Sequence, residues 1–214
     1  MVNLRELNLQ LTKQDLKDNM TRDILVIQTI HTIDELIKII NKLVANLRER
    51  YGYYAPKVSR EEDINKFLDE VSLKNKEDFG MNFQSEDLNS VIELMNEIKN
   101  LQGLLDSQEK YLENIMKEVC PRVVNIATPL IGARLIDHAG SLKHLAELPS
   151  STIQVLGAEK ALFRHLTTGA KAPKFGVIFA HKLISENKIN KGKAARQLAS
   201  EISKAAKIDY FRKK

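Results

Sequence analysis

The chain has 214 residues, no tryptophan, nine glycines and a single cysteine, and 43% of its residues are hydrophobic. This composition supports a packed core, excludes a disulfide within the chain and favours long helices over a turn-rich β fold. No run approaches the roughly 20 apolar residues of a membrane helix, and the first residues lack the apolar core of a secretory signal.

The net charge of +5 is distributed unevenly along the chain. Residues 1–120 hold 16 Lys and Arg against 22 Asp and Glu, a net −6, whereas residues 121–214 hold 17 against 6, a net +11. This asymmetry predicts two modules, of which the second is suited to a polyanion such as nucleic acid. An ordinary basic, solvated surface is the alternative that charge alone leaves open.

Apolar residues at alternating spacings of four and three predict a first long helix over about residues 12–50. A seam of this kind, mostly β-branched, is typical of a coiled coil. Its members are Val26, Ile30, Ile33, Ile37, Ile40, Val44 and Leu47. Gly52 and Pro56 are expected to end the helix, because neither residue continues one comfortably.

A tip region is predicted over residues 51–85, with Ser59 and Glu62 as a capping pair for a short helix. A second long helix is then predicted over about residues 86–119. Its heptad seam consists of Leu94, Ile98, Leu101, Leu105, Leu112, Ile115 and Val119. Two such helices joined by a tip are expected to form an elongated antiparallel hairpin. Their wide apolar faces predict self-association, and packing against the second module is the alternative.

Cys120 followed by Pro121 breaks the second helix and predicts a domain boundary. Residues 1–119 are thus expected to form a coiled-coil domain and residues 120–214 a compact helical domain, which makes the fold class all-α. In the second domain, short helices are predicted over 142–148, 151–166 and 193–206, separated by proline and glycine.

The segment 150–166 carries the strongest candidate site. It predicts a capped helix that presents Lys160, Arg164 and His165, with Lys160 and Arg164 four residues apart on one face. Gly157 allows a backbone to approach a ligand closely. Since a helix N-terminus beside cations is a phosphate site, the segment predicts contact with nucleic acid.

Two further basic segments are candidates for phosphate contact. One is the loop after this helix, in which Phe175 is expected to anchor the core rather than stack on a base. The other comprises Lys188, Lys191, Lys193 and Arg196, which either extend the RNA surface or form an ordinary solvated helix start. The complete set of predicted RNA-binding residues is Gln154, Gly157, Ala158, Glu159, Lys160, Arg164, His165, Lys171, Lys174, Lys191, Lys193 and Arg196. Of these, Gln154 and Glu159 either position the helix start or meet the RNA. His138 and His144 lack the partners of a metal or catalytic site, so no cofactor, metal or catalytic residue is expected.

Several segments of the second module resemble the Nop domain in order and spacing. They are PLIGARLI (129–136), AGSLK (139–143), GAEKALFRH (157–165), KFGVIF (174–179), KGKAAR (191–196) and IDYF (208–211). LRERYG (47–52) in the hairpin resembles the coiled coil of the same proteins. The chain resembles archaeal core proteins of box C/D guide-RNA particles, whose relatives serve nucleolar particles and the spliceosomal U-four particle.

The resemblance implies a noncatalytic scaffold that dimerises through its coiled coil. It implies binding of a kink-turn guide RNA together with a small kink-turn-binding ribosomal-type protein. The particle directs ribose 2′-O-methylation of rRNA or tRNA, and the fibrillarin methyltransferase performs that reaction. The expected location is the cytoplasm of an archaeal cell, or the nucleolus if the source is eukaryotic. The alternatives are a spliceosome-type Nop protein and a coiled-coil adaptor that binds no RNA.

The sequence departs from the family pattern at its start. Family members usually carry an N-terminal domain that holds fibrillarin, whereas this sequence opens almost directly on the coiled-coil helix. Three explanations stay open: the sequence is a fragment, the domain is a separate chain, or the protein lacks that role. Fibrillarin is therefore expected in the same particle, without an expected direct contact to this chain.

Overall fold

The computed structural model describes residues 4–19, 21–74, 76–186 and 190–212. Within these residues the chain is helical and contains no strand, so the predicted all-α class is confirmed. None of the described helices is long and apolar enough to cross a bilayer. The helices are α1 (Leu4–Asn19), α2 (Asp23–Gly52), α3 (Ile64–Ser72), α4 (Ser85–Val119), α5 (Pro121–Ala127), α6 (Pro129–Ala139), α7 (Leu142–Glu147), α8 (Ser150–Val155), α9 (Glu159–Thr168), α10 (Lys182–Ser185) and α11 (Lys191–Phe211).

The chain divides into two compact units. One is His31–Lys110, and the other combines Met1–Ile30 with Tyr111–Lys214. We call them the hairpin unit and the C-terminal unit. The domain boundary between residues 119 and 120 stays a prediction from the sequence. It lies just before α5, which begins at Pro121.

The hairpin unit is built on α2, α3 and α4. Arg50, in the last turns of α2, donates a 3.0 Å hydrogen bond to the Ser90 hydroxyl in the second turn of α4. The two long helices therefore run antiparallel in this unit. The buried core consists of Ile40, Val44, Leu47, Tyr51, Tyr54, Ala55, Phe67, Leu68, Val71, Val91, Met95 and Ile98.

The predicted seam residues differ in how deeply they are buried. On α2 all are buried except Ile37, which is half-buried. On α4, half-buried positions are Leu94, Leu101 and Leu105, and buried ones are Ile98, Leu112, Ile115 and Val119. Val91, Met95 and Met116 are also buried, although the heptad reading did not include them. That these seam residues take part in self-association stays a prediction.

The helix predicted over residues 12–50 is interrupted in the structure. Helix α1 ends at Asn19 and α2 begins at Asp23. The Asp23 carboxylate is buried, accepts a 2.8 Å hydrogen bond from the backbone N–H of Leu142 and also bonds the Thr21 hydroxyl. Asp23 thus joins the start of α2 to the first turn of α7, a long-range contact that the apolar pattern does not record.

The cap of α3 also differs from the prediction. Asp63 accepts hydrogen bonds of 2.8 and 3.1 Å from the N–H groups of the second and third helical residues. The hydroxyl of Ser59 instead donates to the Pro56 carbonyl at 2.9 Å. The capping pair of Ser59 and Glu62 is therefore wrong, because Asp63 lies directly before the helix and satisfies its free N–H groups.

In the C-terminal unit, α11 packs against α5, α7 and α8. Its inner face includes the buried residues Ala195, Leu198, Ala199, Ile202, Ala205 and Ala206. Small side chains let helix axes approach closely, so one alanine-rich helix serves as the support for three others. By contrast, α9 has no buried residue, and it lies on the surface of this unit.

Candidate nucleic-acid interface

The segment 150–166 forms two helices, so the single helix predicted over 151–166 is wrong. Helix α8 ends at Val155 and α9 begins at Glu159. Between them Gly157 has a φ of +87°, and a Cβ there would overlap the side chain of Val177. Only glycine fits this turn without strain. On that side Gly157 approaches the protein's own Val177, which explains the glycine without a ligand.

Glu159 stabilises the same turn. Its carboxylate accepts a 2.6 Å hydrogen bond from the Gly157 N–H, and its Oε1 lies 3.5 Å from Nδ1 of His138. Partial burial alone would raise the pKa of Glu159, but the N–H groups of Gly157 and Glu159, together with His138, outweigh it and leave the pKa lowered. Because its carboxylate oxygen already accepts the hydrogen bond from Gly157, Glu159 stabilises the turn in this structure.

The loop of residues 169–176, which we call the lysine loop, follows α9 and returns to α8. Gln154 Nε2 donates to the Lys174 carbonyl at 2.7 Å, and the Gln154 carbonyl accepts from the Gly176 N–H at 2.9 Å. At the other end, His165 Nδ1 bonds the carbonyl of Ala170. Two predicted RNA-binding residues are thus bonded to the loop itself.

Four predicted cations are exposed on α9 and the lysine loop: Lys160, Arg164, Lys171 and Lys174. Lys160 and Arg164 lie one helical turn apart, as predicted. None of the four side chains forms an ion pair with a carboxylate among the described residues. Their charge is therefore available to an anionic ligand.

The second basic segment is arranged differently. Phe175 stacks on Phe179 with ring centroids 4.6 Å apart, and Lys191 Nζ lies 5.2 Å from the Phe179 ring centroid. Phe175 is thus an intramolecular anchor. Lys193 and Arg196 are exposed in the first two turns of α11, where the Asn190 side chain accepts from the Lys193 N–H at 3.4 Å. Lys188 lies outside the described residues.

The structure adds two apolar residues that the sequence analysis missed. Phe163 and Leu166 are 69% and 74% exposed on α9. Their spacing of three on a short charged helix was the available signal, but an apolar pair at that spacing is equally typical of a helix that packs into a core. The surface of α9 therefore combines cations with uncovered apolar side chains.

Comparison with known proteins identifies the family. Residues 15–214 match the family described as "Nop: snoRNA binding domain, fibrillarin". The chain belongs to the Nop family. This confirms the resemblance found in the sequence motifs, and the match covers all of the hairpin unit and the C-terminal unit except residues 1–14.

Relatives within the Nop family include nucleolar proteins. Nucleolar protein 58 of Schizosaccharomyces pombe is 34% identical over 87% of this chain and 42% of its own length. An uncharacterized NOP5 family protein of Methanocaldococcus jannaschii is 34% identical over 94% of this chain and 56% of its own. Nucleolar protein 56 of Mus musculus is 33% identical over 94% of this chain and 40% of its own. The chain spans about half the length of these relatives.

A solved Nop family structure shares this architecture. The crystal structure of a fibrillarin/Nop5p complex aligns with a TM-score of 0.59 and 26% sequence identity. The alignment covers 99% of this chain and 70% of the other. The chain thus shares its fold with a chain of that complex.

Proposed function

We propose that this Nop protein is a noncatalytic scaffold of a box C/D ribonucleoprotein. It binds a kink-turn guide RNA together with a small kink-turn-binding ribosomal-type protein, and supports RNA-guided ribose 2′-O-methylation of rRNA or tRNA. The observation that carries the proposal is the set of four exposed cations on α9 and the lysine loop, which lack a described carboxylate partner. The family description as a snoRNA binding domain supports RNA as the ligand of these cations.

Phosphate contact is the physical basis of this assignment. Folded RNA presents a high density of phosphates, and each Lys or Arg that neutralises one releases a counterion. Lys160 and Arg164 project from one face of α9, while Lys171 and Lys174 extend from an irregular loop. Lys193 and Arg196 extend the same basic surface in this proposal, and Ala158 and Gly157 lie between α8 and the phosphate-facing helix.

The exposed apolar residues of α9 are suited to contact with the partner protein. An RNA backbone does not cover phenylalanine and leucine side chains well, whereas protein interfaces have apolar centres. We assign Phe163 and Leu166, both exposed, to the kink-turn-binding protein. One helix then contacts RNA through its cations and protein through its apolar residues, which explains a requirement for both components.

The wider particle follows from the relatives. A fibrillarin/Nop5p complex has been solved, and two relatives are named nucleolar proteins. We place fibrillarin in the same particle as this chain and propose self-association through the hairpin. The proposed location is the nucleolus in a eukaryote or the cytoplasm in an archaeon. These relatives do not favour a spliceosome-type protein or an adaptor that binds no RNA.

The test is a titration of box C/D kink-turn RNA with and without the kink-turn-binding protein, across a salt series. Lys160→Ala combined with Arg164→Ala is compared with Lys204→Ala combined with Lys207→Ala, which removes the same charge from exposed positions on α11. We expect at least about tenfold weaker binding for the first pair and a salt slope reduced by up to about 2, since each lost phosphate contact removes about 0.9.

The control pair is expected to change the affinity less than about twofold, because nonspecific surface charge contributes weakly at moderate salt. Equal losses for both pairs would contradict the assignment of the site. No binding by the folded wild-type protein, with or without the partner protein, would contradict the function and favour the adaptor.

A further inference from the structure

The lysine loop is irregular, yet it is bonded to helices at both ends. An irregular segment that is free to move loses conformational entropy when a ligand orders it, and this loss weakens binding. A loop that is already fixed before binding avoids that loss. How residues 169–176 are held therefore bears on how strongly Lys171 and Lys174 bind RNA, and this inference rests on the proposed function.

His165 fixes the first part of the loop. It is half-buried in the last turn of α9, and its Nδ1 bonds the Ala170 carbonyl. A carbonyl oxygen only accepts, so Nδ1 carries the hydrogen. The His165 carbonyl also accepts from the Gly169 N–H at 3.0 Å. Both the side chain and the backbone of His165 thus hold the chain as it leaves α9.

Gln154 fixes the other end. Its Nε2 donates to the Lys174 carbonyl at 2.7 Å, and its own carbonyl accepts from Gly176 at 2.9 Å. The next pair of this short ladder joins the Val177 N–H to the Leu156 carbonyl at 2.8 Å. Since α8 is supported by α11, the anchor on Gln154 connects the loop to the core of the C-terminal unit.

We propose that Gln154 and His165 are positioning residues that hold the lysine loop in its RNA-binding conformation and do not contact RNA themselves. The Nδ1–H of His165 and one of the two N–H groups of the Gln154 amide are already used on loop carbonyls. Lys171 and Lys174, between the two anchors, make the phosphate contacts. For Gln154 this selects one of the two roles that the sequence left open, and for His165 it replaces the predicted RNA contact.

Two isosteric substitutions of His165 test the proposal. An asparagine amide nitrogen occupies about the position of imidazole Nδ1, whereas a glutamine amide reaches the position of Nε2. We expect His165→Asn to bind within about twofold of wild type, and His165→Gln to bind about three- to tenfold more weakly, as for one lost hydrogen bond. Gln154→Met, which keeps the length and neutrality of the side chain and removes the donor, is expected to match His165→Gln.

The salt dependence of binding separates positioning from contact. Lys171→Ala removes a phosphate contact, so its salt slope should fall by about 0.7 to 0.9. His165→Gln and Gln154→Met, which are both neutral, should weaken binding equally at every salt concentration, with the slope of wild type. A slope reduced as in Lys171→Ala, or His165→Asn as weak as His165→Gln, would overturn the proposal.

Limited trypsin digestion of the free protein keeps the two hypotheses apart. Cleavage after Lys171 and Lys174 should be faster in His165→Gln than in wild type or His165→Asn, since a released loop is cleaved more readily. Equal rates in all three proteins would overturn the anchoring. If the rates differ as expected but the wild-type protein binds no RNA, the proposed function fails while the anchored loop stands.

Discussion

The carboxylate of Asp209, in the last turn of α11, accepts a 3.0 Å hydrogen bond from the backbone N–H of Val123 in the first turn of α5. The same oxygen accepts from the Arg122 N–H at 2.9 Å. Asp209 is only 2% exposed, and α5 has no side-chain cap of its own. A carboxylate from the end of the chain therefore satisfies the positive end of the first helix in this basic module.

We expect Asp209→Ala to destabilise the C-terminal unit by about 1.5 to 3 kcal/mol, the range for hydrogen bonds to a charged group that caps a helix. Asp209→Asn should cost less, because its amide oxygen still accepts. Urea unfolding followed by circular dichroism measures the difference. Lys207→Ala, an exposed change on the same helix, should stay within about 0.5 kcal/mol of wild type. Equal stability of Asp209→Ala and Lys207→Ala would show that the cap is unimportant.

The turns before and after α9 give a matched pair of glycines. Gly157 has a φ of +87° and Gly169 a φ of +68°, but only at Gly157 would a Cβ meet another side chain, that of Val177. Gly169→Ala is expected to cost about 1 kcal/mol for the left-handed backbone alone. Gly157→Ala should cost about 1 to 3 kcal/mol more through overpacking. Thermal or urea unfolding measures both, and equal costs would contradict the contact with Val177.

Much of this fold is predictable from local patterns. The heptad spacing predicts two long helices, Gly52 ends the first, and the pair Cys120 and Pro121 marks the start of α5, because these effects depend on residues close together in the chain. Burial along α4 is predicted less well. A strict heptad selects Leu94, whereas the structure buries Met95, and the difference comes from the neighbouring helices rather than from spacing.

The remainder depends on contacts distant in sequence. Asp23 starts α2 because it bonds Leu142, and Gly157 separates two helices because Val177 lies against it. Neither partner is visible in the local pattern. In the candidate site, residue type predicts the exposed cations, but not that His165 bonds the Ala170 carbonyl. Sequence therefore gives the charge of the site, and the structure separates contact from support.

Glu159 gives a prediction about pH. Its pKa is lower in the folded chain than the ordinary value of 4.5, so the unfolded chain binds protons first as the pH falls. The stability that the carboxylate contributes is complete above about pH 5 and is lost as the pH falls through the folded pKa. The difference in unfolding free energy between wild type and Glu159→Gln should thus shrink in acid, with a size below about 1 kcal/mol because the carboxylate is largely exposed.

Urea unfolding at several values between about pH 3 and pH 7 measures this difference. His138→Gln serves as the control, since it removes one cause of the lowered pKa and leaves the hydrogen bond from Gly157. When the effect of Glu159→Gln is measured in the His138→Gln protein, the pH-dependent part of the difference in unfolding free energy should be smaller but still present. A difference that grows as the solution becomes more acidic would contradict the lowered pKa of Glu159.

The hairpin unit supplies the last prediction, which concerns self-association. Ile39 on α2 and Leu104 on α4 are 47% and 45% exposed, although most other apolar residues of these helices are buried or half-buried. A second copy that covers them would gain roughly 25 cal/mol for each Å² of apolar surface removed from water.

We expect Ile39→Lys with Leu104→Lys to raise the dimer dissociation constant at least about tenfold without loss of helicity. Sedimentation equilibrium measures this constant, and Leu73→Lys with Met81→Lys, at exposed positions of the tip, should leave it unchanged. A wild-type protein that stays monomeric at high concentration would contradict the proposed self-association. Equal effects of both pairs would show that the dimer contact includes the tip and is not specific to Ile39 and Leu104.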